Sequence, residues 1–178
     1  MDEMSVEEIQ EHIFSNVGLK ISERLPKNIT LTAASSERVL SDLNCLKDKD
    51  LIIWDFAMKA SPWGTPINNL DHMIKCVAYY GDAADGYYCV GYAIGCVNVE
   101  NTIMEINFIE KRNDASADLN GQFLPVILEV LMAYKSFLNE FDPETNINQL
   151  ALIGPVPGGR KYYAEHGFEY VSDHSYGT

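Results

Sequence analysis

The chain has 178 residues, 47% of them apolar and 11% aromatic, which excludes a disordered chain and suits one domain with a substantial core. Its formal charge of −13 repels phosphate backbones, so nucleic acid is not an expected ligand, while cationic small molecules and basic protein segments are favoured. No apolar run has the roughly 18–20 residues of a membrane helix, so no membrane partner is expected. The opening Met1-Asp2-Glu3-Met4 is not that of an export signal, and Cys45, Cys76, Cys89 and Cys96 have no CxxC spacing. They read as reduced thiols of a cytoplasmic protein.

Residues 4–16 read as a helix, with Ser5 and Glu8 as a capping box, Ile9, Ile13 and Val17 recurring every fourth residue, and Gly18 as the stop. Glu8 and His12 lie one turn apart, but two ligand types with no third nearby read as a solvated helix face, so no metal is expected. This gives an N-terminal helical extension over 1–26 and a main domain over 27–178. Residues 28–33 alternate as a strand with Ile29 and Leu31 on one side. Ser35 or Ser36 then caps a helix to Leu46 with Val39, Leu40, Leu43 and Leu46 in one stripe.

After the turn Lys47-Asp48-Lys49-Asp50, residues 51–58 read as a second strand. Residues 61–66 form a loop carrying Trp63, which either lines a binding site or folds onto the core. From Asn68 the spacing of Leu70, Met73, Ile74 and Val77 predicts a helix to Ala78, with a strand over 76–80 as the alternative. His72 lies beside Asp71 with no triad partner in view. A turn follows over 81–86.

Residues 87–99 predict a strand whose interior Gly91 and Gly95 mark a bulge or a close backbone approach. A turn at Glu100-Asn101 makes residues 103–110 its antiparallel return strand. There Met104, Ile106 and Phe108 are expected on one face and Glu105, Asn107 and Ile109 on the other. Beyond a loop over 111–120, Leu124, Ile127, Leu128, Leu131, Tyr134 and Leu138 make the clearest helical stripe, with Pro125 in its first turn and Asp142-Pro143 at its end. A buried strand (149–153), a short helix (160–166) stopped by Gly167, and a last strand (168–171) complete the order.

That order, ending in Tyr162-Tyr163-Ala164-Glu165-His166-Gly167-Phe168, resembles the GCN5-related N-acetyltransferase (GNAT) family over 28–171, most closely over 87–171. The resemblance implies an α/β (α+β) fold: a central mixed, mostly antiparallel sheet with a splayed strand pair, flanked by helices. It implies acetyl-CoA as cosubstrate, with the pantetheine arm along Phe108, Ile109 and Glu110. The pyrophosphate would lie at Asn120, Gly121 and Gln122, where a helix N-terminus favours anions. It also implies acetyl transfer to a primary amine of a small molecule or protein. Glu105 would be the base and Tyr163 the acid for the departing thiolate. Asn107 would orient substrate or water, with Trp63, Asp55, Tyr79 and Tyr80 on the acceptor side.

The phosphate loop departs from the family pattern of Gln or Arg, two residues, Gly, one residue, then Gly or Ala. Counted from Gly121, the basic position holds Asp118 and the second small position Phe123, and Asp114 and Asp118 place negative charge near a polyanion site. A non-catalytic GNAT-fold interaction protein that has lost CoA binding is therefore the alternative expectation. A homodimer is an open expectation on either reading.

Overall fold

A computed structural model describes residues 5–34, 36–53, 72–98, 102–142, 144–153, 169–172 and 175–177, with backbone alone for 153 and for the last two segments. The first helix, α1 (Val6–Ser22), opens with both arms of the capping box: Ser5 N donates to Glu8 Oε2 at 3.1 Å and Glu8 N to Ser5 Oγ at 3.2 Å. It runs through Gly18 instead of stopping there. A Cβ at Gly18 would lie 3.2 Å from both Ile29 O and Leu31 N, so this glycine allows helix and strand to touch. The apolar stripe continues past it to Ile21, which is fully buried.

Strand β1 (Asn28–Ala33) turns Ile29, Leu31 and Ala33 inward, as its alternation predicts. Helix α1 covers its outer edge. Ser22 Oγ accepts from Ile29 N at 2.9 Å, and Glu11 Oε2 accepts from Ala33 N and Thr32 Oγ1, both at 2.7 Å. Helix α2 (Glu37–Asp48) is capped by Ser36, whose Oγ accepts from Val39 N. Residues 51–53 bend rather than form the start of a strand, and the rest of the predicted strand lies outside the described residues.

The predicted helix over 68–78 is corrected from residue 73 onward, where the chain is strand β2 (Met73–Asp82). Both faces of β2 are covered. Ile74, Cys76, Ala78 and Tyr80 meet one core, and Met73, Val77 and Tyr79 the other. A strand buried on both sides loses its polar alternation, and its apolar run imitates helical spacing. Strands β3 (Gly86–Asn98), β4 (Ile103–Lys111) and β5 (Gln149–Ile153) follow, with α3 (Phe123–Phe141) between the last two. The closing strands are β6 (Glu169–Ser172), near the predicted position, and β7 (Ser175–Gly177), which was not predicted.

The sheet order is β1-β2-β3-β4-β5-β7-β6, antiparallel throughout except for the parallel pair β4–β5. Helices α1 and α3 cover one face, where Phe14, Leu31, Ile74, Met104, Ile127 and Tyr134 belong to one core. Helix α2 covers the other, with Val39, Leu43, Tyr92, Ile94 and Phe108. Phe14 and Ile21 of α1 share the first core with the sheet, so the core has no break at residue 26.

Candidate active site

The register between β3 and β4 pairs Ile94 with Phe108 but Gly95 with Ile106, so Asn107 is the extra residue of a bulge. The bulge resets the alternation. Phe108, expected beside Met104 and Ile106, packs instead in the α2-side core, and Ile109 packs toward α1 and α3. Both interior glycines of β3 serve this close pairing. A Cβ on Gly95 would meet Glu105 O at 1.9 Å, and one on Gly91 would meet Glu110 O at 2.3 Å.

The parallel ladder joins β4 residues 103–106 to β5 residues 149–152, and β4 continues beyond it to Lys111. Glu105 stands one residue before the end of this ladder. It is 3% exposed, lies opposite Cys96 on β3 and Ala151 on β5, and accepts from Cys96 Sγ at 3.1 Å. Its carboxylate is therefore a buried group and not a solvated strand-face charge. Asn107, at the bulge, is buried as well.

The residues predicted to hold a cofactor divide into two groups. On β4, Phe108 and Ile109 give their side chains to the two cores, and Glu110 is an anchor: Oε1 accepts from Tyr92 OH at 2.9 Å and Oε2 from Ile53 N. Asn120, Gly121 and Gln122 run directly into α3. Gly121 has φ +71° with nothing within 4 Å of a Cβ built there, no side chain caps the helix, and its first turn holds no acidic residue. Pro125 is the third residue of α3, where a missing N–H costs little.

The preceding loop satisfies its charges internally. Arg112 pairs with Asp114 through Nε at 2.5 Å and Nη2 at 3.1 Å, and that hydrogen bonding holds the Asp114 carboxyl below the usual carboxylate range. Asp118 Oδ2 accepts from Tyr80 OH at 2.9 Å, and that same hydroxyl accepts from Lys27 N at 3.0 Å.

This arrangement sets Tyr80, expected on the acceptor side, away from Glu105. Its ring is 3% exposed in the α1/α3-side core, on the opposite face of the sheet from Glu105. In register, Glu105 is aligned through Cys96 with Met73, seven residues from Tyr80 along β2, or roughly 23 Å at strand rise. Tyr80 instead borders a cavity of about 310 Å³ with Lys27, Asp85, Tyr88, Arg112 and Ser116, at the far end of the sheet from Glu105. Tyr79 donates to Asp42 on α2, and burial pushes its phenol well above the ordinary range. Trp63, Asp55 and Tyr163, with the Gly167-Phe168 ending, lie outside the described residues.

His72 has a partner that the sequence does not reveal. Its Nε2 meets the Tyr134 hydroxyl of α3, to which Gln10 Nε2 of α1 donates at 3.4 Å while also donating to Met73 O at 2.9 Å. Of the weak metal pair, Glu8 serves the capping box and His12 Nε2 lies 3.3 Å from Asn16 Nδ2. Among the described residues there is no cluster of three metal-ligating side chains, and no helix is long and apolar enough to cross a membrane.

No protein-family model matches the sequence, and no curated protein does. Several solved acetyltransferase structures are similar. Arabidopsis thaliana Naa50, in complex with a bisubstrate analogue, has 14% identity and a TM-score of 0.46 over 84% of this chain and 95% of that one. Tetrahymena GCN5 has 12% identity and a TM-score of 0.46 over 86% and 94%. A spermidine N-acetyltransferase chimera from Vibrio cholerae and hSSAT has 14% identity and a TM-score of 0.47 over 84% and 93%. At TM-scores below 0.5 these likenesses decide nothing about the chemistry of this chain. The element order and the mixed sheet with its one parallel pair are themselves those of a GNAT-type fold.

Proposed function

We propose that the protein is an N-acetyltransferase that moves an acetyl group from acetyl-CoA to a primary amine of a small molecule or protein. The observation that carries this reading is the buried Glu105 carboxylate, placed on β4 one residue before its ladder to β5 ends. A primary amine is protonated near neutral pH and attacks only after losing a proton, and the buried Glu105 carboxylate would take it, directly or through a water. Acetyl-CoA, when bound, supplies the activated acyl thioester. Beyond Ile106 the backbone of Phe108, Ile109 and Glu110 would lie along its arm. The open, uncapped start of α3 at Asn120, Gly121 and Gln122 suits an anionic group. In the transfer the ammonium would first give one proton to Glu105; the N–C bond would then form as the C–S bond breaks, Tyr163 would protonate the departing thiolate, the second nitrogen proton would return to the Tyr163 phenolate, and Glu105 would release its proton to solvent.

The charge of −13 favours a cationic acceptor, whether a small amine or a basic protein segment, and the proposal places the enzyme in the cytoplasm. No feature of the described residues supports a homodimer. Calorimetric titration with acetyl-CoA and with CoA tests the reading. Saturable binding of both is expected, and no heat of binding at sub-millimolar ligand would sink it.

The closed Arg112–Asp114 pair favours a second reading, since it withholds the loop's basic side chain from a phosphate. On that reading the protein is a non-catalytic binding module for a basic protein segment. It predicts heat of binding for a lysine-rich peptide and none for acetyl-CoA in the same titration.

A further inference from the structure

Cys96 and Glu105 face each other across the β3–β4 hairpin, and both are buried, at 0% and 3% exposure. The thiol donates to Glu105 Oε2 at 3.1 Å. The backbone enforces this meeting. The absent side chain of Gly95 lets β3 approach the Glu105 carbonyl, and the register, unbroken from Asn98–Ile103 to Gly95–Ile106, sets Glu105 directly opposite Cys96, while the bulge at Asn107 resets only the residues after it.

The terminal torsion of a glutamate is broad and nearly two-fold, so each fixed donor to the carboxylate narrows the planes it samples. A thiol is a weak donor to a neutral acceptor, but a charged acceptor strengthens the bond. We propose that Cys96 is a positioning residue that fixes the plane of the Glu105 carboxylate for proton removal from the acceptor amine. This rests on the acyltransferase reading. A nucleophilic role does not suit Cys96, because reactive thiols are partly exposed and this one has no accessible surface.

The test compares Cys96→Ser, Cys96→Ala and Cys96→Val in the full chain, assaying transfer from acetyl-CoA to a diaminoalkane and to a peptide with a free N-terminus. Serine keeps a donor at the same place, so its kcat stays within about twofold of wild type. Alanine and valine lower kcat roughly tenfold, a fraction of the 10²–10⁴ that a positioned base supplies, while KM for acetyl-CoA is unchanged. Wild-type kcat in the alanine or valine variant overturns the role of Cys96 and leaves the acyltransferase reading standing. A wild-type protein that neither binds acetyl-CoA nor acetylates any amine overturns both. If the apolar variants do not fold, the infrared S–H stretch of the wild-type protein decides. The Cys96 band, identified by its loss in Cys96→Ser, is expected at lowered frequency and to move up in Glu105→Gln. A band at the free-thiol frequency overturns the proposal.

Discussion

Burial lowers the pKa of His72 below its ordinary value, which keeps the ring neutral in the fold and able to accept the Tyr134 proton at Nε2. In the unfolded chain His72 takes up a proton at its ordinary pKa of about 6.5. The unfolded state therefore binds more protons between the lowered pKa and about 6.5, so this contribution is complete above 6.5 and is lost as pH falls. The melting temperature of wild type should drop between pH 7 and 5 more steeply than that of His72→Gln, and parallel curves would rule this out. Glu105 allows an independent test of the same scale. Glu105→Gln should lower kcat by about 100-fold or more with acetyl-CoA binding retained, and Tyr163→Phe should likewise lower turnover more than binding. The resemblance singled out Glu105, and the fold shows that its carboxylate is buried, which alternation along an exposed strand face does not predict. Its thiol partner follows from the hairpin register that the turn sets between Asn98–Ile103 and Cys96–Glu105, a residue-by-residue pairing that composition and periodicity do not give.

At the scale of elements, hairpin β3–β4 carries the site, and its glycines are the points where it is vulnerable. Gly95→Ala would put a methyl group within 1.9 Å of the Glu105 carbonyl oxygen, backbone against backbone, with no flexible side chain to give way. A loss of about 1–3 kcal/mol is expected in denaturant unfolding, as for an overpacked core. Unchanged stability would mean that the two strands stand further apart. Helices α3 and α2 were readable from one-sided stripes and a cap, β1 from its alternation, and Gly91 and Gly95 as interior strand glycines. Strand β2 was not, since a central strand covered by α1 and α3 on one side and α2 on the other presents no polar face for the period to show. Residues 51–53 also misled: Ile52 is buried, but the backbone there is held by Glu110 instead of a strand ladder.

For the molecule as a whole, the N-terminal helix is part of the main core. Phe14 is 0% exposed between α1, the sheet and α3, and its ring meets Tyr134 edge-on at 6.2 Å. Phe14→Ala should cost about 3–5 kcal/mol in denaturant unfolding, the range for a large buried ring, and a cost below 1 kcal/mol would show that α1 is dispensable. A boundary at residue 26 looked natural because Pro26 follows a helix, but sequence spacing carries no information about what a helix docks against. Gln10 extends this to synthesis. Its acceptors lie 63 and 124 residues further along the chain, at Met73 and Tyr134. Contacts this distant in sequence form late and slow the search for the native topology. Helix α1 therefore lacks its α3 partner until residue 134 has been made, and in that interval Phe14 is without the Tyr134 ring and offers an apolar face to a chaperone.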